Sequence, residues 1–169
     1  MKARDVVLIG ILSASITAGK LALSFIPNIE IVTLLFIVYT VVFGHKRTLL
    51  VSLIFTTTEI FIYGFATWLL VYYFIWPILI MITELISKRF KSEYAYGILG
   101  AIFGYTFGIF FAVVESFFYG LAYGWAYWIR GLLFDLLHGT SNFIIILFLF
   151  NPLKNLLGKL KKHYSNIES

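Results

Sequence analysis

The feature that most constrains this chain is its division into long apolar runs by five short breaks, "SFIPN", "GHKR", "YGFATW", "SKRFKSE" and "YGLAYGW". The runs cover roughly 5–25, 30–44, 48–65, 67–87, 95–121 and 127–150. A helix needs about 20 apolar residues to cross hydrocarbon, and six such segments with short connections fill a chain of this length. The runs exceed barrel-strand length and lack polar/apolar alternation, so helices are expected rather than strands. The second run is short and begins near Pro27. Composition agrees: 61% of residues are hydrophobic and 12% charged, and mean hydropathy is +0.95, which places the chain in the membrane class. The expected fold is an all-α membrane protein, one domain over 1–169, with six transmembrane helices in a compact bundle. A basic tail over 151–169 is expected to be a frayed interfacial helix, with no second soluble domain. No small-residue cleavage site follows the first run, so that run reads as a retained helix rather than a removed signal. Without cysteine, disulfide, haem-attachment and thiol chemistry are excluded.

The net charge of +5 suggests nucleic acid only until the cations are located. Lys2 and Arg4 precede the first run, and Lys46 and Arg47 lie between the second and third. Lys88, Arg89 and Lys91 separate the fourth and fifth, while Lys154, Lys159, Lys161 and Lys162 follow the sixth. Eleven of the 13 Lys/Arg residues thus fall on one side of a six-helix arrangement. The positive-inside rule then assigns both termini to the cytoplasm, and no nucleic-acid partner is expected. The exceptions are Lys20 and Arg130, both toward the outer end of the bundle.

In this topology Lys20, Glu30, Glu59, Glu115, Arg130 and Asp135 all fall in the outer half. A lone charge near mid-bilayer costs about 2.5–3.5 kcal/mol on insertion scales. Six facing lipid would be prohibitive, so they are expected to face one another or a wet cavity open to the outside. Asp135, His138 and Asn142 follow i, i+3, i+7 spacing and share one face of the sixth helix. Arg130 lies off that stripe, on a side chain long enough to swing or snorkel. Trp68, Tyr72, Tyr123, Trp125, Tyr127 and Trp128 lie near them in depth, and Trp76-Pro77 lies deeper. Ionisable groups beside aromatic walls suit a small ring-bearing polar ligand. Simpler readings stand beside this one. Tyr and Trp at this depth also form interfacial belts, Glu59 or Glu115 paired with Lys20 or Arg130 would fix helix register, and His138 alone reads as a hydrogen-bonded bundle histidine. Glu84, beside Lys88 and Arg89, reads as a structural pairing. The case for a site rests on the ensemble.

Small residues recur every fourth position twice: Gly10, Ala14, Ala18 and Ala22 on the first helix, and Gly100, Gly104, Gly108 and Ala112 on the fifth. Such stripes let helix backbones approach closely. The fifth-helix stripe is expected to make contacts inside the bundle; the first-helix stripe suits either bundle packing or a partner subunit.

Six helices with both ends inside, the Ala-x3-Ala stripe, an outward polar pocket and the "PNIEIVTLLFIVYTVVFG" stretch together resemble the substrate-binding S components of energy-coupling factor (ECF) vitamin transporters. The resemblance spans nearly the whole chain and is one of architecture more than of an invariant motif. It implies capture of a vitamin or precursor in the outer half, under a lid made partly by the loop "SFIPNIE", which would make Asn28 and Glu30 lid or site residues. It implies docking of Ala14 and Ala18, extended by Gly10, on a membrane scaffold subunit. Two cytoplasmic ATPases complete such complexes, and the S component topples in the membrane to release cargo. It also implies a multi-pass protein of a prokaryotic plasma membrane. This chain has no phosphate-binding Gly-x4-Gly-Lys-Ser/Thr loop, so ATP would be used by the partners and no cofactor is expected here. The metal-binding branch of that family begins Met-His, whereas this chain begins Met1-Lys2 and has a single membrane histidine, so a metal is not expected.

The expected substrate-binding set is therefore Lys20, Asn28, Glu30, Glu59, Trp68, Tyr72, Glu115, Tyr123, Trp128, Arg130, Asp135, His138 and Asn142, with no catalytic residue. Carboxylates (Glu30, Glu59, Glu115, Asp135) outnumber cations (Lys20, Arg130) in that set, which favours a neutral or cationic ring compound such as a pyridine- or pyrimidine-containing vitamin or precursor; cobalamin and riboflavin stay open. Two rival classes are weighed against this. A self-sufficient carrier would show an inverted repeat or a polar stripe through the full bilayer. An intramembrane enzyme would need more than the Ser141 near His138 in "HGTSN", and no Gly-x-Ser-Gly, His-Glu-x2-His or paired-aspartate motif is present.

Overall fold

The computed structural model describes the backbone of residues 3–166 and the side chains of 3–162. Lys2, counted above among the cations, lies outside the described residues, as does the end of the tail. Six helices follow in order: α1 (Ala3–Ala22), α2 (Val32–Phe43), α3 (His45–Tyr63), α4 (Thr67–Arg89), α5 (Glu93–Tyr119) and α6 (Leu121–Asn166). Four of them, α1, α4, α5 and α6, are long and apolar enough to cross a membrane. At 12 residues α2 is shorter than a span, and α3 carries Lys46, Arg47 and Glu59.

The shortest helix is the central one. Every residue of α2 except Val41 is buried, as expected of a helix that is apolar all round. It touches each of the other five helices. Its 12 residues rise only about 18 Å at 1.5 Å per residue, well short of a hydrocarbon core of about 30 Å. Loop 23–31 leads into its first turn, and a hollow opens beside that loop. The opposite end of α2 is held by cations: Lys161 Nζ donates to the Val42 carbonyl at 2.6 Å, and Arg47 Nη1 to the Phe43 carbonyl at 3.5 Å. Both satisfy carbonyls that a helix C-terminus leaves bare.

The same end gathers the other described charges between the runs. Arg47 pairs with Asp5 at 2.9 Å, and Glu84 with His45 at 3.4 Å and Lys88 at 3.8 Å. The structural pairing expected of Glu84 is therefore present with Lys88, and His45 joins it. Consecutive helices turn back on one another through very short links. Gly44 at φ 87° and Gly120 at φ 90° each form a one-residue connector, in a backbone region that side chains with a Cβ disfavour.

The small-residue stripe of α5 is buried against α6, as expected. A Cβ on Gly104 would lie 2.6 Å from both Cα and N of Gly139, so the two backbones are in direct contact there. The stripe of α1 points the other way: Gly10, Ala14, Ala18 and Ala22 are exposed, and a Cβ at Gly10 would meet nothing within 4 Å.

Two expected boundaries are corrected. α6 starts at Leu121, six residues before the expected start at 127, because Gly120 alone turns the chain and most of "YGLAYGW" is already helical. The supposed frayed tail continues α6 without a break through Pro152. Leu153 and Leu157, one turn apart, pack on the core, and that amphipathic face keeps the helix in register.

Candidate functional site

Loop 23–31 builds the site. Asn28 takes a positive φ of 58°, a conformation that asparagine tolerates better than most residues, and this turns the chain inward. The Asn28 carbonyl accepts from Ser141 Oγ at 3.1 Å. Glu30 then accepts the N–H of Thr33 at 2.9 Å, satisfying an open donor in the first turn of α2. Its other oxygen meets Nε2 of His138 at 3.1 Å. The loop is thereby tied to α2 and to α6.

Beneath the loop lies a hollow of about 350 Å³ lined by Lys20, Asn28, Glu30, Trp68, Tyr72 and His138, together with Tyr63, Trp76 and Phe107. Six residues of the expected set thus meet in one place. The wall is aromatic: Trp68 and Tyr72 sit edge-to-face with centroids 5.3 Å apart, as do Tyr72 and Trp76 at 5.3 Å. His138 lies edge-on to Phe107 at 4.7 Å. Two polar atoms on this hollow, Trp76 Nε1 and His138 Nδ1, are buried without a partner.

A second hollow of about 540 Å³ adjoins the first and shares Asn28 and Phe107 with it. Tyr123, Arg130 and Asp135 of the expected set line it, beside Tyr127 and Phe134. Asp135 reaches across to the backbone of α5, where the Gly108 N–H donates to Oδ1 at 3.0 Å. Gly108 permits this, since a Cβ there would press on the carboxylate, 2.9 Å from Oδ1. Asp135 Oδ2 stays buried and unpartnered.

Four expected site residues line neither hollow. Glu59 is wholly buried behind Lys20, whose Nζ donates to its carboxylate. Glu115 accepts from the Thr67 hydroxyl at 2.5 Å, a contact between α4 and α5. Asn142 is buried one turn below His138 and points to the Gly100 carbonyl at 3.5 Å. Trp128 lies two turns from Asp135 toward the start of α6, on an apolar groove with Trp125, Ile109 and Val113. The single chamber expected for all six outer charges is therefore corrected to two adjoining hollows, with Glu59 and Glu115 held in separate contacts between helices. Nor do Lys20 and Glu30 face each other, since each has its own partner on another helix.

Tyr63, Trp76, Phe107, Tyr127 and Phe134 are among the aromatic lining residues outside the expected set. Tyr127 carried an aromatic signal at the right depth and Trp76 a notice only as the neighbour of Pro77, while Tyr63 was not singled out. Nothing in the sequence set Phe107 apart from the other phenylalanines of α5. Ser141 bonds to the carbonyls of Asn28 and His138, both at 3.1 Å, while the imidazole Nε2 of His138 is engaged by Glu30.

Comparisons with protein-family models, with curated proteins and with solved structures give no match. What the site can do follows from its geometry: hold a small flat or cationic molecule against aromatic walls, orient it through Glu30, His138 and Trp76, and enclose it under a loop.

Proposed function

We propose that this chain is the substrate-binding subunit of an ECF-type importer, capturing a vitamin or vitamin precursor from outside the cell. In this reading all six helices form a membrane bundle with both termini in the cytoplasm of a prokaryotic cell. The observation that carries it is the hollow beneath loop 23–31, where Lys20, Glu30, Trp68, Tyr72 and His138 converge. The short α2 supports it further: Val32, at its buried start, lines that hollow, and in this reading the hollow ends on the central helix. A dead-ended pocket binds but does not conduct, so transport would need a partner. The exposed small-residue face of α1 suits such a partner: backbone-close docking on a membrane scaffold needs the absence of bulk that Gly10, Ala14 and Ala18 supply. ATP hydrolysis belongs to two further cytoplasmic subunits. The bonding of Ser141 to two carbonyls gives no support to an activated serine.

Extraction of the full chain in mild detergent, followed by mass spectrometry of small molecules released on denaturation, tests the proposal. A stoichiometric ring-bearing vitamin or precursor is the expected result. Uptake of solute by this chain alone in liposomes, without an energising module, would overturn it in favour of a carrier.

A further inference from the structure

The strongest cation site of the inner hollow is already occupied by the protein itself. Lys20 Nζ lies 4.7 Å from the ring centroid of Tyr63, 5.3 Å from that of Tyr72 and 5.5 Å from that of Trp68. Glu59, with no exposed side-chain surface, closes the cage behind them. Three aromatic rings around one positive charge, backed by a carboxylate, is the arrangement that recognises organic cations. Here the charge arrives on a flexible four-carbon stem from the last turn of α1, beside the loop that covers the hollow.

Three observations argue that Lys20 is a place-holder and not the final occupant. Its side chain is 21% exposed while Glu59 is fully buried, so the ammonium has a way out and the carboxylate has none. Oε1 of Glu59 has no partner even with Lys20 in place. The space next to the cage is empty rather than packed, and is part of the 350 Å³ hollow. The charged or titratable groups at the hollow are Lys20, Glu30, His138 and the phenols of Tyr63 and Tyr72, with Glu59 behind. A second cation entering beside Lys20 would be repelled by it. An anion would meet Glu30 and the negative faces of three rings.

We infer that Tyr63, Trp68, Tyr72 and Glu59 form a receptor for an organic cation, a quaternary ammonium or an N-alkylated heteroaromatic ring, and that Lys20 is a tethered competitor displaced when it binds. This rests on the inner hollow being the substrate site and narrows the class of substrate. Displacement frees Lys20 to swing to the mouth of the hollow, where long cationic side chains reach water while their stems stay on apolar surface.

The test uses the full chain in detergent and a matched pair of probes, the N-methylnicotinamide cation and neutral nicotinamide, read by tryptophan fluorescence and thermal unfolding. Lys20→Met should bind the cation at least tenfold more tightly than the native chain, with no gain for nicotinamide. The variant should melt lower than the native protein, since Glu59 has lost its partner, and recover on addition of the cation. If Lys20→Met does not survive extraction alone, recovery of monodisperse protein with the cation present is the same expected result. Lys20→Met/Glu59→Gln, which leaves no unpaired charge, should fold and lose the tenfold gain. Equal or weaker cation binding by Lys20→Met, no recovery by the cation, or the same gain for nicotinamide would overturn the inference. The two proposals fail separately. A neutral vitamin found bound to the native chain, with no gain in Lys20→Met, removes the cation cage and leaves the importer subunit. A gain in Lys20→Met together with unaided solute uptake removes the importer subunit and leaves the cage.

Discussion

The carboxylate of Glu30 and Nε2 of His138 meet at 3.1 Å across 108 positions of sequence. Because Glu30 also accepts the N–H of Thr33, one side chain holds the covering loop, the start of the central helix and the middle of α6. The position of the loop is therefore set by the same groups that line the hollow, so binding and closure share their determinants.

Removing that tie should loosen the loop without unfolding the bundle. A hydrogen bond to a charged group contributes about 1.5–3 kcal/mol, and each 1.4 kcal/mol is about a factor of ten. His138→Ala is expected to speed hydrogen exchange of the Thr33 amide and of the loop amides by about ten- to a hundredfold, with the protection of α5 unchanged. Ser141→Ala, which removes one neutral bond to the Asn28 carbonyl, should do the same more weakly. Native-level protection in both variants would show that packing of the loop, and not these bonds, keeps it in place.

The contact of α5 with α6 at Gly104 and Gly139 leaves no room for a side chain. A Cβ at Gly104 would come within 2.6 Å of backbone atoms of Gly139, and backbone cannot rotate away as a side chain can. Overpacking of this kind costs about 1–3 kcal/mol, and each kcal/mol lowers Tm by about 2–4 °C in a chain of this size. Gly104→Val is expected to melt several degrees lower in detergent. Gly10→Ala, with open space around it, should melt as the native protein does. Equal melting of the two variants would mean that the helices separate at no cost.

What the sequence made legible was set by local rules, and what it hid was set by distance. Apolar run length fixed six helices, and helical periodicity put Asp135, His138 and Asn142 on one buried face, as found. The cost of isolated charge in hydrocarbon required Lys20, Glu30, Glu59, Glu115 and Asp135 to find partners, but gave no means of choosing them. Lys20 meets Glu59 across 39 positions and Thr67 meets Glu115 across 48, and such pairings depend on how helices are arranged. The continuation of α6 past Pro152 rests on the Leu153 and Leu157 face that packs on the core, a long-range contact that the basic composition of the tail does not reveal. Phe107 belongs to both hollows, a placement that no spacing rule conveys.

The outward face of α1 offers a separate prediction. Ala18 is exposed on the stripe, one turn before its last member Ala22, so added bulk there meets nothing in this chain's core. Under the proposed function, Ala18→Trp should retain native melting and ligand content, while capture of an added ECF scaffold subunit in a co-purification from detergent falls at least tenfold. Loss of ligand together with loss of capture would place this face in the binding site and not in docking.

The two hollows also make a graded prediction about carboxylates. Glu84 stands at the cation-rich end of the bundle, partly exposed beside His45 and Lys88, where a pair contributes about 0–1 kcal/mol. Glu30 lines the inner hollow, and Asp135 presents a buried, unpartnered Oδ2 at the outer one. Titration calorimetry with the compound recovered from the native chain should show Glu30→Gln and Asp135→Asn binding about tenfold or more weakly, and Glu84→Gln within about twofold of native, since 1.4 kcal/mol is about a factor of ten. The split between the first two measures the reach of the ligand. A compound confined to the inner hollow responds to Glu30→Gln alone, whereas one that passes Asn28 and Phe107 responds to both. Equal weakening by all three variants would mean that the effect is transmitted through the fold, and the two hollows would then have no special claim on the ligand.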